Sequence, residues 1–183
     1  RAVDTVMTAT SGGVSGTIPF AFDSVIAFDV SSALAGALNT NDQLNLPSGT
    51  IAASTGGFIN GADSPSGFFK SHSIDAGGIL TFGSADTGTP LLVNNSTLID
   101  ATNYLLQNLT TPGQAVGFRF DNDFNGNADS LFVFQDGGPT SNDVLIKLTN
   151  ANGVTLGHSA GQNVVQIVDT TGPQIYDAVL TAN

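Results

Sequence analysis

Apolar side chains recur at every second position over most of this 183-residue chain, and clusters of Gly, Asn, Asp and Pro separate the alternating runs. Successive side chains of a β-strand point to opposite faces of a sheet, so each run predicts a strand. The Asn-Gly pair at 152–153 tolerates a tight turn and predicts a hairpin between residues 146–149 and 154–156. The expected strands are 18–22, 24–30, 43–46, 68–74, 79–82, 115–120, 131–135, 144–148, 164–168 and 175–180.

A helical period interrupts this alternation near the middle of the chain. Ser96 or Thr97 can cap a helix that runs to Asn108, and the segment 111–113 ends it with a Pro-Gly pair. A second, shorter helical turn is expected within residues 31–38. The predicted fold class is mainly β: an antiparallel β-sandwich or β-roll-like sheet with one α-helix (about 97–108) packed on it. The apolar stripe of that helix consists of Leu98, Ile99, Ala101, Leu105, Leu106 and Leu109.

The pattern divides the chain into three parts. Residues 1–17 are rich in Ser, Thr and Gly and form a lead-in segment or an edge strand, and residues 18–168 form a single β-rich domain. Residues 169–183 contain a polar linker and an orphan strand, which pairs either within the domain or with a neighbouring subunit. Assembly that survives truncation at residue 170 unchanged would exclude donation of this strand to a neighbour.

Composition excludes several classes of protein. The chain has fifteen Asp, no Glu and only four basic residues, for a formal charge of −11. Four scattered cations cannot neutralise a phosphate backbone, so no nucleic-acid partner is expected, and no apolar run is long enough for a transmembrane segment. The lack of Cys removes disulfides and thiolate metal sites. The first residues lack an initiator Met and a signal-peptide pattern, which indicates a mature chain or an excised piece.

Residues 121–129 carry the strongest chemical signal. Oxygen-bearing side chains stand at positions 1, 3, 5 and 9 of this segment, and Gly126 stands at position 6. Calcium takes six to eight hard oxygen ligands, and alternating side chains in a tight turn converge on one point. The sequence therefore predicts a Ca²⁺ site, with Asn127 contributing its backbone carbonyl. Its expected ligands are Asp121, Asp123, Asn125, Asn127 and Asp129.

This segment departs from an EF-hand in two respects. Phe132 occupies position 12, where an EF-hand has a bidentate Glu, and strands rather than helices are expected on either side. The alternative interpretation is a polar, Asx-rich hairpin loop that holds no metal. Asp136 and Asp143, near the next turn, are candidates for a second, weaker site.

No catalytic site is expected. Gly157-His158-Ser159-Ala160-Gly161 matches the GxSxG nucleophile elbow, but a β-branched run follows it where that motif requires a helix. His72 and His158 lack a carboxylate partner at metal-binding spacing, so each is interpreted as an ordinary strand or loop residue.

Eight segments of the chain follow one another in an order typical of one family: 23–28, 41–47, 70–74, 79–82, 99–106, 116–118, 131–138 and 142–149. Together they resemble the "bluetail"-type C-terminal domain of bacterial RTX-like proteins, which type I secretion exports and which include large surface proteins. The resemblance implies export and calcium binding. Two features depart from it: GGxGxD repeats are absent, and the segment 121–129 looks like an insertion. Residues 169–173 and the strand after them resemble the start of a bacterial Ig-like repeat.

These observations lead to one expected function and two alternatives. The expectation is a non-enzymatic, calcium-stabilised structural module of a secreted bacterial cell-surface or matrix protein, such as an adhesin, an S-layer component or a filament subunit. Its partners would be further copies of itself or neighbouring modules of the same protein. The first alternative is a type I secretion-associated domain of a larger secreted enzyme such as a hydrolase. The second is a glycan hydrolase that uses an Asp pair.

Overall fold

The computed structural model describes residues 23–25, 43–46, 49–85, 88–137, 143–149, 151–159 and 163–168. Within these residues the chain forms one helix and a series of mostly short strands. The elements are β1 (Asp23–Val25), β2 (Gln43–Asn45), β3 (Thr50–Ile51), β4 (Ile59–Asn60), β5 (Ser71–Ile74), β6 (Ile79–Gly83), β7 (Pro90–Leu91), β8 (Val93–Asn94), α1 (Leu98–Asn108), β9 (Gln114–Asp121), β10 (Ser130–Gln135), β11 (Val144–Thr149), β12 (Thr155–Gly157) and β13 (Val164–Val168).

Ten of these strands form the large sheet, whose main path runs β1-β11-β10-β9-β6-β5-β4. β10 pairs antiparallel along its whole length with β9 on one side and β11 on the other, so that Phe132 lies opposite Phe118 and Lys147. The opposite edge of β9 pairs in parallel with three short strands in turn: β3, β6 and β8. β9, the longest of the described strands, therefore lies at the centre of the sheet, and the pairing is mixed.

The remaining three strands form the small sheet, in the order β12-β13-β2, and all of them run parallel. Every strand of this sheet places apolar side chains against the large sheet, including Leu44, Leu156 and Ile167. The two sheets thus pack face to face, as in a sandwich.

Two hydrophobic cores lie on opposite faces of the large sheet, and β10 belongs to both. Phe132 and Phe134 belong to the first core, which includes the buried residues of α1, whereas Leu131 and Val133 belong to the second core, beneath the small sheet. All six residues of β10 are buried because both of its faces are covered. The order of layers is helix, large sheet, small sheet, which confirms the predicted mainly β sandwich with one helix.

The predicted helix is confirmed as α1. Thr97 is its N-cap residue, but the Thr97 hydroxyl turns back to the carbonyl and side chain of Asn94 rather than capping the helix. Asp100 lies in the first turn, where the helix dipole favours negative charge, and it accepts hydrogen bonds from Ser64 and Ser66. These bonds fasten the loop before β5 to the helix.

The predicted hairpin between residues 146–149 and 154–156 is wrong. β11 belongs to the large sheet, whereas β12 pairs with β13 in the small sheet. The turn between them carries the chain from the large sheet to the small sheet. Leu148, before the turn, and Val154, after it, are both buried in the second core between the two sheets. The Asn-Gly turn reverses the chain without pairing its flanking strands.

Several predictions lie outside the described residues: the lead-in segment 1–17, the strand 18–22, the helical turn 31–38, and the linker with its orphan strand at 169–183. Of the predicted strand 24–30, only residues 24 and 25 are described, within β1. The short strands β3, β4, β7 and β8 were not expected from the sequence.

Candidate metal centre

The segment 121–129, here called the metal loop, joins the antiparallel strands β9 and β10. Asp121 is the last residue of β9 and Ser130 is the first residue of β10. The backbone N–H of Asp129 donates to the carbonyl of Phe120 at 2.8 Å and closes the base of the loop. Strands therefore flank the loop on both sides, which distinguishes it from an EF-hand.

Three carboxylates of the metal loop converge. One oxygen from each of Asp121, Asp123 and Asp129 lies within 4.8 Å of the others. Asp121 is buried, Asp129 is partly buried and Asp123 is exposed, so the cluster opens to solvent on one side. Because negative charges at this separation repel one another, a bound cation would stabilise the arrangement. The acidic triad can hold a metal ion.

Backbone amides hold the Asp121 carboxylate in place. Its Oδ2 accepts the N–H of Gly126 at 2.8 Å, and its Oδ1 accepts those of Asp123 and Asn125 at 3.2 and 3.3 Å. Burial acts to raise the pKa of Asp121, but hydrogen bonds from four backbone amides of the loop outweigh it, so this pKa lies below its ordinary value. Asp121 is therefore ionised and oriented inside the loop without a metal.

The same local bonding repeats along the loop. Asp123 Oδ1 accepts the backbone N–H of Asn125 at 3.2 Å, and Asn125 Oδ1 accepts that of Asn127 at 2.7 Å. Each side chain turns back onto the backbone two residues later, as Asx residues do in turns. These bonds hold the side-chain oxygens of positions 1, 3 and 5 against the backbone of the loop.

Two residues in the left-handed region allow the loop to reverse. Gly126 has φ +84° and Phe124 has φ +63°. Glycine adopts this backbone conformation without strain, whereas Phe does not. The Phe124 side chain is 58% exposed at the tip of the loop and contributes nothing to either core. The requirement for Gly at position 6 is thus met at Gly126.

The environment of position 12 excludes it as a ligand. Phe132 is fully buried in the first core, where its ring stacks on Phe118 at a centroid distance of 5.3 Å. Lys147 lies over the rings of Phe120 and Phe132, and burial lowers the pKa of its ammonium while the negative charge of Asp129 acts to raise it. The third carboxylate of the triad therefore comes from Asp129 at position 9 and not from position 12.

Asp136 and Asp143 also come together, at the facing ends of β10 and β11. The backbone N–H of Gly137 donates to Asp143 Oδ1 at 2.8 Å, and the Asp136 side chain hydrogen-bonds to Asp143. Burial is the main cause that raises the pKa of Asp143, and the neighbouring Asp136 adds to it. A second metal site at this pair of carboxyl groups stays a prediction.

Neither histidine joins the metal loop. His72 is buried in β5, and its Nδ1 lies 2.9 Å from the hydroxyl of Tyr104 on α1. His158 follows β12, and its Nδ1 lies 3.3 Å from the carbonyl of Ile167. The GxSxG segment leads into strand β13, so residues 163–168 do not form the helix that a nucleophile elbow needs.

Sequence reasoning missed the residues that brace the metal loop from outside. The side-chain amide of Asn95 donates to the carbonyl of Asn122 at 3.0 Å, and that of Asn152 donates to the carbonyl of Ala128 at 2.6 Å. Asn122 itself donates to Ser130 Oγ at 2.8 Å. Since Asn95 and Asn152 are distant from the loop in sequence, no local pattern could have identified them.

A scan against protein-family models and searches of curated proteins and of solved structures gave no match. Among the residues described, no helix is long and apolar enough to cross a membrane. The functional argument therefore depends on the geometry of the metal loop and on the sequence.

Proposed function

We propose that this chain is a calcium-stabilised, non-enzymatic structural module of a secreted bacterial cell-surface or matrix protein. The observation that carries the proposal is the convergence of Asp121, Asp123 and Asp129, one carboxylate oxygen of each lying within 4.8 Å of the others. Calcium would hold these three side chains together and so fasten the turn between the two central strands of the large sheet.

The chemistry of the donor set favours Ca²⁺ over other common cations. The converging groups are carboxylate oxygens, with the Asn125 amide oxygen and the Asn127 carbonyl as further candidates, and neither His nor Cys is among them. Zinc prefers nitrogen and sulfur ligands, and magnesium requires near-ideal octahedral geometry with few protein ligands. An oxygen-rich turn that is open to solvent suits calcium, with water completing the coordination.

The bond that Asn125 Oδ1 accepts from Asn127 does not prevent it from acting as a ligand, because an amide oxygen has two lone pairs. Asp121, Asp123 and Asp129 would supply the negative charge. Asp121 Oδ2 accepts one of the bonds described, from Gly126, so it keeps a second acceptor position for the metal, whereas Oδ1 already accepts from Asp123 and Asn125.

The extracellular location is inferred from the sequence. Free calcium is scarce in the cytosol, so a module whose fold depends on calcium would become rigid only after export. The resemblance of several segments to type I-secreted surface proteins supports the same location. The role as an adhesin, S-layer or filament component, assembling with copies of itself or with neighbouring modules, follows from that resemblance.

Isothermal titration of the metal-free chain with Ca²⁺ and with Mg²⁺ tests the metal assignment. We expect one site that binds Ca²⁺ more tightly than Mg²⁺, and we expect Asp123→Asn to weaken Ca²⁺ binding at least tenfold, because it removes a converging charge. Asp63→Asn is the matched control, since Asp63 is an exposed carboxylate that pairs with Lys70 in another loop. Equal affinity in both variants, or no heat of binding in the wild type, would overturn the proposal.

A further inference from the structure

Asn152 connects the metal loop to the turn that carries the chain from the large sheet to the small sheet. This turn follows β11 and precedes β12, and its residues Ala151 and Val154 are buried in the second core. Asn152 itself is exposed, so it is not a core residue. Its side chain instead makes two polar contacts, both with residues of the β9–β10 hairpin.

The orientation of the Asn152 amide is fixed by Arg119. The Arg119 Nη1 donates to Asn152 Oδ1 at 3.1 Å, and a guanidinium can only donate hydrogen bonds. The oxygen of the amide must therefore face Arg119, which leaves the NH₂ group to face the metal loop. There it donates to the carbonyl of Ala128 at 2.6 Å.

Ala128 immediately precedes Asp129, the candidate ligand from the second half of the loop. Asp129 is held further by its backbone bond to Phe120 and by the N–H of Asn122, which donates to its Oδ2 at 2.9 Å. On the other side of the loop, Asn95 donates to the carbonyl of Asn122. The backbone on both sides of the triad is thus fixed by side chains from outside the loop.

We propose that Asn152, oriented by Arg119, is a positioning residue that preorganises Asp129 and sets the metal affinity of the loop. This inference rests on the proposed calcium site. A ligand that is already in place loses less conformational entropy on binding, so removing its anchor weakens binding without removing any coordinating atom. The coupling between the Asn152 contact and metal binding acts in both directions. Metal binding therefore also stabilises the segment that connects β11 to β12.

The test combines hydrogen exchange of the metal-free protein with calcium titration, for the wild type and Asn152→Ala. The variant is expected to exchange the amides of residues 122–129 several-fold faster without metal, and to bind Ca²⁺ about three- to tenfold more weakly, as the loss of one hydrogen bond implies. Asn95→Ala, which removes the opposite anchor, is expected to act in the same direction and serves as a second variant should Asn152→Ala fail to fold.

Asn108→Ala is the matched control. Asn108 bonds to the N–H and the carbonyl of Ala62 at 2.7 and 3.0 Å, at the far end of α1 from the metal loop. It should leave both loop exchange and calcium affinity unchanged. Unchanged exchange or unchanged affinity in Asn152→Ala would overturn the proposal. If the wild type binds no calcium, the proposed function fails, and the exchange of the metal-free loop alone decides whether Asn152 is an anchor.

Discussion

Asp121 and Asp123 have different roles although they belong to one triad. Asp121 is 4% exposed and accepts bonds from backbone amides around the whole turn, whereas Asp123 is exposed and accepts bonds only from Asn125. Asp121 is thus a structural residue of the loop as well as a candidate ligand. Asp123 is a candidate ligand that makes few hydrogen bonds to the rest of the loop.

This difference predicts separate effects on the metal-free protein. Asp121→Asn should lower the thermal midpoint in EGTA, because one of its two acceptor oxygens becomes an NH₂ group that faces backbone donors. Asp123→Asn should leave that midpoint nearly unchanged. Thermal unfolding of both variants by circular dichroism checks this, and equal midpoints would show that the backbone bonds of Asp121 contribute nothing.

His72 should make stability depend on pH. Burial lowers the pKa of His72, and Tyr104, whose pKa burial and Asp63 raise to about 12, stays a neutral partner. As the pH falls below about 6.5, His72 therefore becomes protonated in the unfolded chain before it does so in the folded chain. The contribution of His72 to stability is complete above about pH 6.5 and is lost as the pH falls below it.

Urea unfolding at pH 7.5 and pH 5.5 measures this effect. The wild type should be less stable at pH 5.5, and His72→Gln should show a smaller difference between the two conditions, with His158 present in both proteins. A pH dependence that is the same in the variant would assign it to other groups.

At the scale of elements, α1 contributes through one face. Leu105 is fully buried in the first core, whereas Ile99 is 57% exposed on the same helix. Leu105→Ala should cost about 2–5 kcal/mol of unfolding free energy through lost burial and a cavity. Ile99→Ala should stay within about 0.5 kcal/mol of the wild type. Chemical denaturation of the two variants measures both values, and a similar cost for each would contradict the assigned helix orientation.

The elements also show which parts of the fold the sequence could predict. Helix α1 and the strands β9, β10, β11 and β13 have long periodic patterns, and each was expected within one or two residues of its bounds. The two-residue strands, such as β3 and β8, have no period of their own and exist because they pair with the edge of β9. The hairpin error has a similar cause, since an Asn-Gly turn specifies a reversal but not which sheet the next strand joins.

In the candidate site, too, the sequence predicted the local features but not the contacts between distant segments. Its ligand spacing lies within nine consecutive residues, so the sequence alone predicted that Asp121, Asp123 and Asp129 would converge, as they do. The anchors Asn95 and Asn152 reach the loop only because the fold brings two turns beside it: the turn between β8 and α1, and the sheet-crossing turn. Contacts between distant segments depend on the tertiary structure and leave no local pattern.

At the scale of the whole molecule, charge and metal act on the same hairpin. The chain carries a formal charge of −11, and three of its fifteen Asp side chains meet between β9 and β10. Both strands contribute to both cores, so a cation that fastens this turn would stabilise the layers on either side. Calcium binding and global stability should therefore be coupled.

The most direct test is the thermal midpoint of the chain in saturating Ca²⁺ compared with EGTA. Calcium at about 100 times its dissociation constant adds about 2.7 kcal/mol, which for a domain of this size corresponds to an increase of roughly 5–10 °C. With binding at least tenfold weaker, Asp123→Asn should lose about half of this increase or more, and Asp63→Asn should retain it. The same midpoint in calcium and in EGTA for the wild type would contradict the account of a calcium-stabilised module.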